Sequence, residues 1–112
     1  MSIEIQKEIV QGLADSVNSK WDKITADIEI GEVSGETVMS PDYRYHIKKE
    51  SIQFDADMET EELLEDLREL MKENDPTQSH WTVCYLELDS RGKYSFKFSY
   101  DEPPRLTKLN NS

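Results

Sequence analysis

The residues with the most chemical potential lie in one stretch, Glu61-Glu62-Leu63-Leu64-Glu65-Asp66, continued by Glu69 and Glu73. On a helix these carboxylates stand one turn apart, the spacing by which acidic helices hold Mg²⁺ against nucleotide phosphates. That chemistry needs a second acidic pair on another helix, and the first helical segment offers only Glu4, Glu8 and Asp15. Other catalytic sets are sparse. His46 and His80 are the only histidines, and no spacing brings them together for acid–base work. Cys84, the single cysteine, sits in an apolar run and reads as a small hydrophobe. No Cys or His spacing supports zinc, and no glycine-rich loop cradles a phosphate. No catalytic set, metal or cofactor is expected.

The acidic run has a second reading, as a surface. A solvated helix face is the usual fate of a charge run, and Glu61 and Glu62 near the N-terminus complement the helix dipole. The rest works against the helix. Glu61–Glu65, Glu62–Asp66, Glu65–Glu69 and Glu69–Glu73 are like-charge pairs at i, i+4, each costing roughly a few tenths of a kcal/mol. Glu73 and Asp75 stand at the negative end of the dipole, and Arg68 and Lys72 offset only part of the field. A helix selected for stability alone would intersperse lysines, so the pattern favours a cationic partner.

Charge across the whole chain agrees. The net charge is −11, and residues 55–75 hold ten acidic groups against two basic ones. Phosphate affinity comes from Lys and Arg, so direct binding of nucleic acid is not expected. A basic protein is the better partner, because the field would accelerate its approach. On a helical wheel Glu61, Glu62, Glu65 and Glu69 point away from the leucine stripe, with Asp66 and Glu73 on its flank. Asp101 and Glu102, near the C-terminus, extend the negative field.

The elements that must carry this face follow from periodicity. Ile5, Ile9, Leu13 and Val17 form the apolar stripe of a helix over about residues 3–18, capped by Ser2 and weakened by Gly12 by ~1 kcal/mol relative to Ala. Ile24, Ala26, Ile28 and Ile30 alternate with polar residues, as in a half-buried strand. A turn at 31–35 leads to a second strand with Met39, Tyr43, Tyr45 and Ile47 on one face; Pro41 places a sheet edge or bulge there. Ile52 and Phe54 either continue the sheet or bridge to the next helix. That helix runs from Asp57 or Thr60 to about Asn74, with Leu63, Leu64, Leu67, Leu70 and Met71 as its buried stripe.

Trp81–Leu88 is then a strand with apolar residues on both faces. A turn containing Gly92 joins it to a last strand in which Tyr94, Phe96, Phe98 and Tyr100 share one face. The expected fold is α+β, in the order α-β-β-α-β-β: one antiparallel four-stranded sheet with both helices packed on one face, against the aromatic row. Residues 1–102 form a single domain, followed by a loose tail over 103–112. Its 112 residues suit one modest core, and no run is apolar enough for a transmembrane helix, so no membrane contact is expected. The N-terminal residues carry no secretory pattern and one cysteine permits no intrachain disulfide, so a reducing cytoplasm is the expected compartment.

Trp81-Thr82 opening a strand, Gly92-Lys93 in a hairpin, and Phe96, Phe98, Tyr100 and Asp101 ending the last strand together make a pattern. Trp21 after the first helix and the acidic ELLEDLRELMKE helix complete it. With these, residues 10–102 resemble the YezG-like immunity proteins, cytoplasmic antitoxins of bacterial polymorphic toxin systems. Family members often carry an aromatic residue after the final Tyr-Asp; Glu102-Pro103-Pro104 stands there in this chain. The resemblance implies a non-enzymatic inhibitor of a cognate protein toxin, often a nuclease with a basic groove. The acidic residues Glu61, Glu62, Glu65, Asp66, Glu69, Glu73, Asp101 and Glu102 are then the expected contact set. An adaptor or chaperone for another basic protein has the same charge pattern, and a Mg²⁺-dependent nucleotide phosphohydrolase is the enzymatic alternative.

Overall fold

The computed structural model describes the backbone of residues 2–110 and the side chains of residues 3–108. The expected Ser2 cap lies outside the described side chains. In chain order the elements are α1 (Ser2–Asp15), β1 (Lys23–Val33), β2 (Glu36–Ile47), β3 (Glu50–Phe54), α2 (Met58–Glu73), β4 (Val83–Asp89), β5 (Tyr94–Ser99) and α3 (Pro104–Asn110). The strands form one antiparallel sheet in the order β3-β2-β1-β4-β5. Among the described residues no helix is long and apolar enough to cross a membrane.

Two parts of the expected fold need correction. The sheet has five strands rather than four, because residues 50–54 turn back on β2 and pair Tyr43 with Phe54 and Tyr45 with Ile52. The turn that allows this contains Lys48 at a left-handed φ of 55°, held by its N–H donating to Asp22 Oδ2 at 2.9 Å. A Lys-Lys pair carries no turn signal. Within the segment expected as a loose tail, residues 104–110 instead form α3, and Leu106 is fully buried; residues 111–112 lie outside the described residues.

Register explains the core. Directly opposed residues of an antiparallel pair share a face. Ile24 faces Tyr45 and Leu88, Ala26 faces Tyr43 and Leu86, and Ile28 faces Cys84, so one apolar face runs across the sheet. It is covered by α1 through Ile9 and Leu13 and by α2 through Leu64 and Leu67, all fully buried. Tyr94, Phe96 and Phe98 pack against this core as expected, with Phe98 5.5 Å from the Trp81 ring centroid to centroid. Tyr100, past the end of β5, does not share their burial. Pro41 sits in regular register with Ile28, on the stretch of β2 that β3 leaves without an outer neighbour.

The opposite face of β1 presents Thr25, Asp27 and Glu29, and α3 packs there. Gly31 admits it. A Cβ at that position would lie 3.3 Å from Leu106 Cδ1 and 3.5 Å from Pro103 Cγ. The β1–β2 turn is tighter than the expected 31–35 span, because Ser34 and Gly35 both take positive φ, at 54° and 84°, as a two-residue hairpin with right-handed twist requires.

Gly12 has a packing reason that outweighs its cost to helix propensity. A Cβ there would collide with Thr60 Oγ1 and lie 3.3 Å from Thr60 Cβ, so glycine sets the distance at which α1 crosses α2. Gly12→Ala should therefore destabilise by ~1–3 kcal/mol despite alanine's better propensity. Adding Thr60→Ala should recover part of that loss in urea melts, and strictly additive costs would refute the contact. Burial, with a contribution from Asp27, pushes the Cys84 thiol up to about 12. The folded protein should thus resist alkylation at pH 8 until it is unfolded in denaturant; prompt labelling under native conditions would contradict the placement of Cys84.

Candidate functional site

The acidic face is held outward by the leucine stripe beneath it. Asp57 caps α2: its carboxylate accepts from Thr60 N–H at 2.8 Å, and bonding to Thr60 holds its carboxyl below the ordinary range. With Leu64 and Leu67 turned into the core, Glu62, Glu65, Asp66, Glu69 and Glu73 are exposed. Glu62, Glu65, Asp66 and Glu73 make no ion pair or side-chain hydrogen bond with a described residue. Glu61 differs from the rest of the expected set. It is half-buried and accepts the Tyr43 hydroxyl at 2.9 Å; burial first, then this bond, raises the Tyr43 phenol.

Arg68 turns the other way. Its Nε donates to Trp81 O at 2.7 Å and its Nη2 to Ile30 O at 3.4 Å, with the guanidinium 6.0 Å from the Trp81 ring centroid. Burial draws the group below its ordinary pKa, opposed by the charges of Glu69, Glu32 and Glu65. The arginine thereby ties α2 to the end of β1 and to the segment that leads into β4. Above it opens a cleft of about 890 Å³ between α2, the end of β1, the 80–82 segment and the 102–107 segment. Five carboxylates line it: Glu32, Glu65, Asp66, Glu69 and Glu102. Against them stand Arg68 and His80, whose Nε2 donates to Glu69 at 2.7 Å.

One wall of this cleft is α3 and the residues before it, through Pro103, Leu106 and Thr107. Their position depends on a second buried group. Glu29, with a side chain only 3% exposed, accepts the backbone N–H groups of Arg105 and Leu106 at 2.9 and 3.1 Å through Oε1. Its Oε2 lies 3.2 Å from Arg105 Nη1. The same guanidinium donates to Asp27 O at 3.0 Å and Ser40 O at 2.7 Å, and pairs with Asp27 Oδ1 at 3.5 Å. A carboxylate on β1 therefore satisfies the free amides of α3's first turn and neutralises its arginine at once. Upstream, Thr82 Oγ1 donates to Asp101 O, which fixes the chain leading to Glu102.

Of the eight residues expected from sequence, Glu65, Asp66, Glu69 and Glu102 converge on the cleft. Glu62 and Glu73 flank it on the exposed surface of α2, Asp101 is exposed beside it, and Glu61 is tied to Tyr43. Sequence reasoning missed Glu32, the floor formed by Arg68, and the pairing of His80 with Glu69. The spacing of Arg68, one residue after the buried Leu67, was the available signal that it lies near the stripe. Among the described residues no group of three or more His, Cys, Asp or Glu is arranged to hold a metal ion.

A sheet covered by α1 and α2 on one face and locked by α3 on the other, with an acidic cleft at its end, fits a protein-binding domain. The family comparison gives the class: the description "Immunity protein YezG-like" matches residues 3–108, nearly the whole chain. The chain belongs to the YezG-like immunity protein family. No curated protein matches it.

The Glu29–Arg105 pair should dominate the stability of the cleft wall. Arg105→Ala leaves a buried carboxylate without its counter-charge and should cost ~3–5 kcal/mol. In the Glu29→Ala/Arg105→Ala double variant the total should fall well short of the two single costs added. Urea unfolding of all three variants measures this, and additivity would mean that the pair is not coupled.

Proposed function

We propose that the chain is an antitoxin that binds a cognate bacterial toxin, a nuclease, and neutralises it with an acidic surface. Membership of an immunity protein family supports the antitoxin role. The observation that carries the finer reading is the convergence of five carboxylates on one open cleft whose only guanidinium is turned down onto backbone carbonyls. Exposed Glu62 and Glu73 extend the field along α2. A nuclease holds phosphates with Lys and Arg, and a cleft lined by carboxylates is complementary to such a groove. Neutralisation then proceeds by occlusion in the cytoplasm of the producing cell, with no chemistry by the antitoxin itself.

The test is protection and binding. Cells expressing the toxin domain encoded with this chain should survive when the parent chain is present. Reversing Glu62, Glu65 and Glu69 to Lys should slow association by about tenfold or more at low salt. The parent's own affinity should fall as salt rises, because exposed charges are screened beyond ~10 Å at 0.1 M. The variant should remain folded, since three of the four like-charge pairs at i, i+4 are relieved and no core residue changes. A folded variant that binds and protects as well as the parent would refute the acidic surface.

A further inference from the structure

Tyr100 ends the aromatic row without sharing its fate. Tyr94, Phe96 and Phe98 pack on the core, whereas Tyr100 is 48% exposed. With Leu70, Met71, Asn74, Asp75 and Pro76 it lines an open groove of about 350 Å³. Leu70 and Met71 belong to the apolar stripe of α2, which here runs past the part of the sheet that buries Leu64 and Leu67. The groove adjoins the acidic cleft on both of its walls. Glu69 of the cleft precedes Leu70 on α2, and on the other strand of chain Asp101 and Glu102 follow Tyr100. Asp75 lies in the groove itself and Glu73 beside it, with Lys72 the one base on that turn.

On the immunity reading above, we propose that this groove is the anchor of the toxin interface. It takes one apolar side chain, leucine, methionine or aromatic, presented by a segment of the toxin whose flanking residues are Lys or Arg. Charge complementarity selects this occupant. A second copy of the chain would bring a net charge of −11 and its own acidic α2 against the same rim, and a nucleic acid would bring phosphates. Tyrosine in a concave site, with an apolar ring and a polar tip, is among the side chains that most often carry interface energy. The two neighbouring features then divide the work. Carboxylates of the cleft steer encounter and govern the association rate, and burial of Tyr100 governs the dissociation rate.

The experiment measures association and dissociation of the toxin domain encoded with this chain, at low and high salt, for the parent, Tyr100→Ala, Tyr100→Gln and Tyr100→Phe. Tyr100→Ala and Tyr100→Gln should dissociate at least tenfold faster with the parent's association rate and salt dependence. Tyr100→Phe, which keeps the ring, should stay within a few-fold of the parent. Melting curves should be close to the parent's, because the side chain is half exposed and the two truncating variants differ in polarity. If the parent binds and both truncating variants dissociate at its rate, the anchor is overturned and the immunity reading stands. If the parent does not bind the domain, that reading falls and the anchor with it. A self-associated parent that Tyr100→Ala renders monomeric would give the groove to a second copy and would also overturn the proposal.

Discussion

Arg68 reaches from the acidic helix onto the main chain, donating to Trp81 O and Ile30 O, and the geometry of the cleft follows from that reach. An arginine on the outer face of α2 would have relieved its carboxylates by ordinary i, i+4 pairing and left a mixed surface. Placed inward, it bonds two backbone carbonyls, lies 6.0 Å from the ring centroid of a buried tryptophan and leaves Glu65, Asp66 and Glu69 in the open. Arg105 does the same from the other side of β1, on Asp27 O and Ser40 O. Two of the chain's cations are thereby spent on backbone carbonyls of the central sheet. The surface is consequently more one-sided in charge around α2 than the sequence total alone requires.

That arrangement carries an energetic tension. Repulsion along α2 opposes the helix, and the Glu29–Arg105 pair and the Arg68 guanidinium must be partly desolvated to hold the walls in place. The core offsets this with a continuous apolar face across β2, β1, β4 and β5, covered by two helices whose crossing distance is set by Gly12 against Thr60. Local compensation is modest but specific: Asp57 caps the helix, Glu61 takes a tyrosine hydroxyl and Glu69 takes His80. Carboxylates without such partners sit where α2 faces the cleft or solvent. Of the cleft carboxylates on α2, Glu65 and Asp66 have no such partner, and Glu69 stays exposed while bonded to His80.

Much of the fold was legible because it is written in short-range pattern. Period-two alternation located the strands around Ile24–Ile30 and Tyr94–Phe98, and the leucine stripe with Asp57 and Asn74 bounded α2. What escaped depends on partners distant in sequence or on turns without a signal. Residues 103–108 read as polar, and what orders them is a carboxylate 76 positions earlier. Gly31 was the clue: taken as part of a turn, it is a strand glycine marking close approach of another segment. The hairpin at Lys48 offered no glycine or asparagine to announce β3. For the site, helical spacing found the carboxylates of α2, while Glu32 and His80 joined them only through tertiary packing, which no periodicity encodes.

On the proposed function, the toxin is met by one end of the molecule: the C-terminal half of α2, the 80–82 segment and the 100–107 segment. Backbone amide hydrogen exchange of the chain, alone and saturated with the toxin domain, tests it most directly. Slowed exchange should cluster in residues 65–75, 78–82 and 100–107, with little change in β3 or the first turns of α1. Protection confined to β3 and the outer edge of β2, with the cleft unchanged, would contradict it.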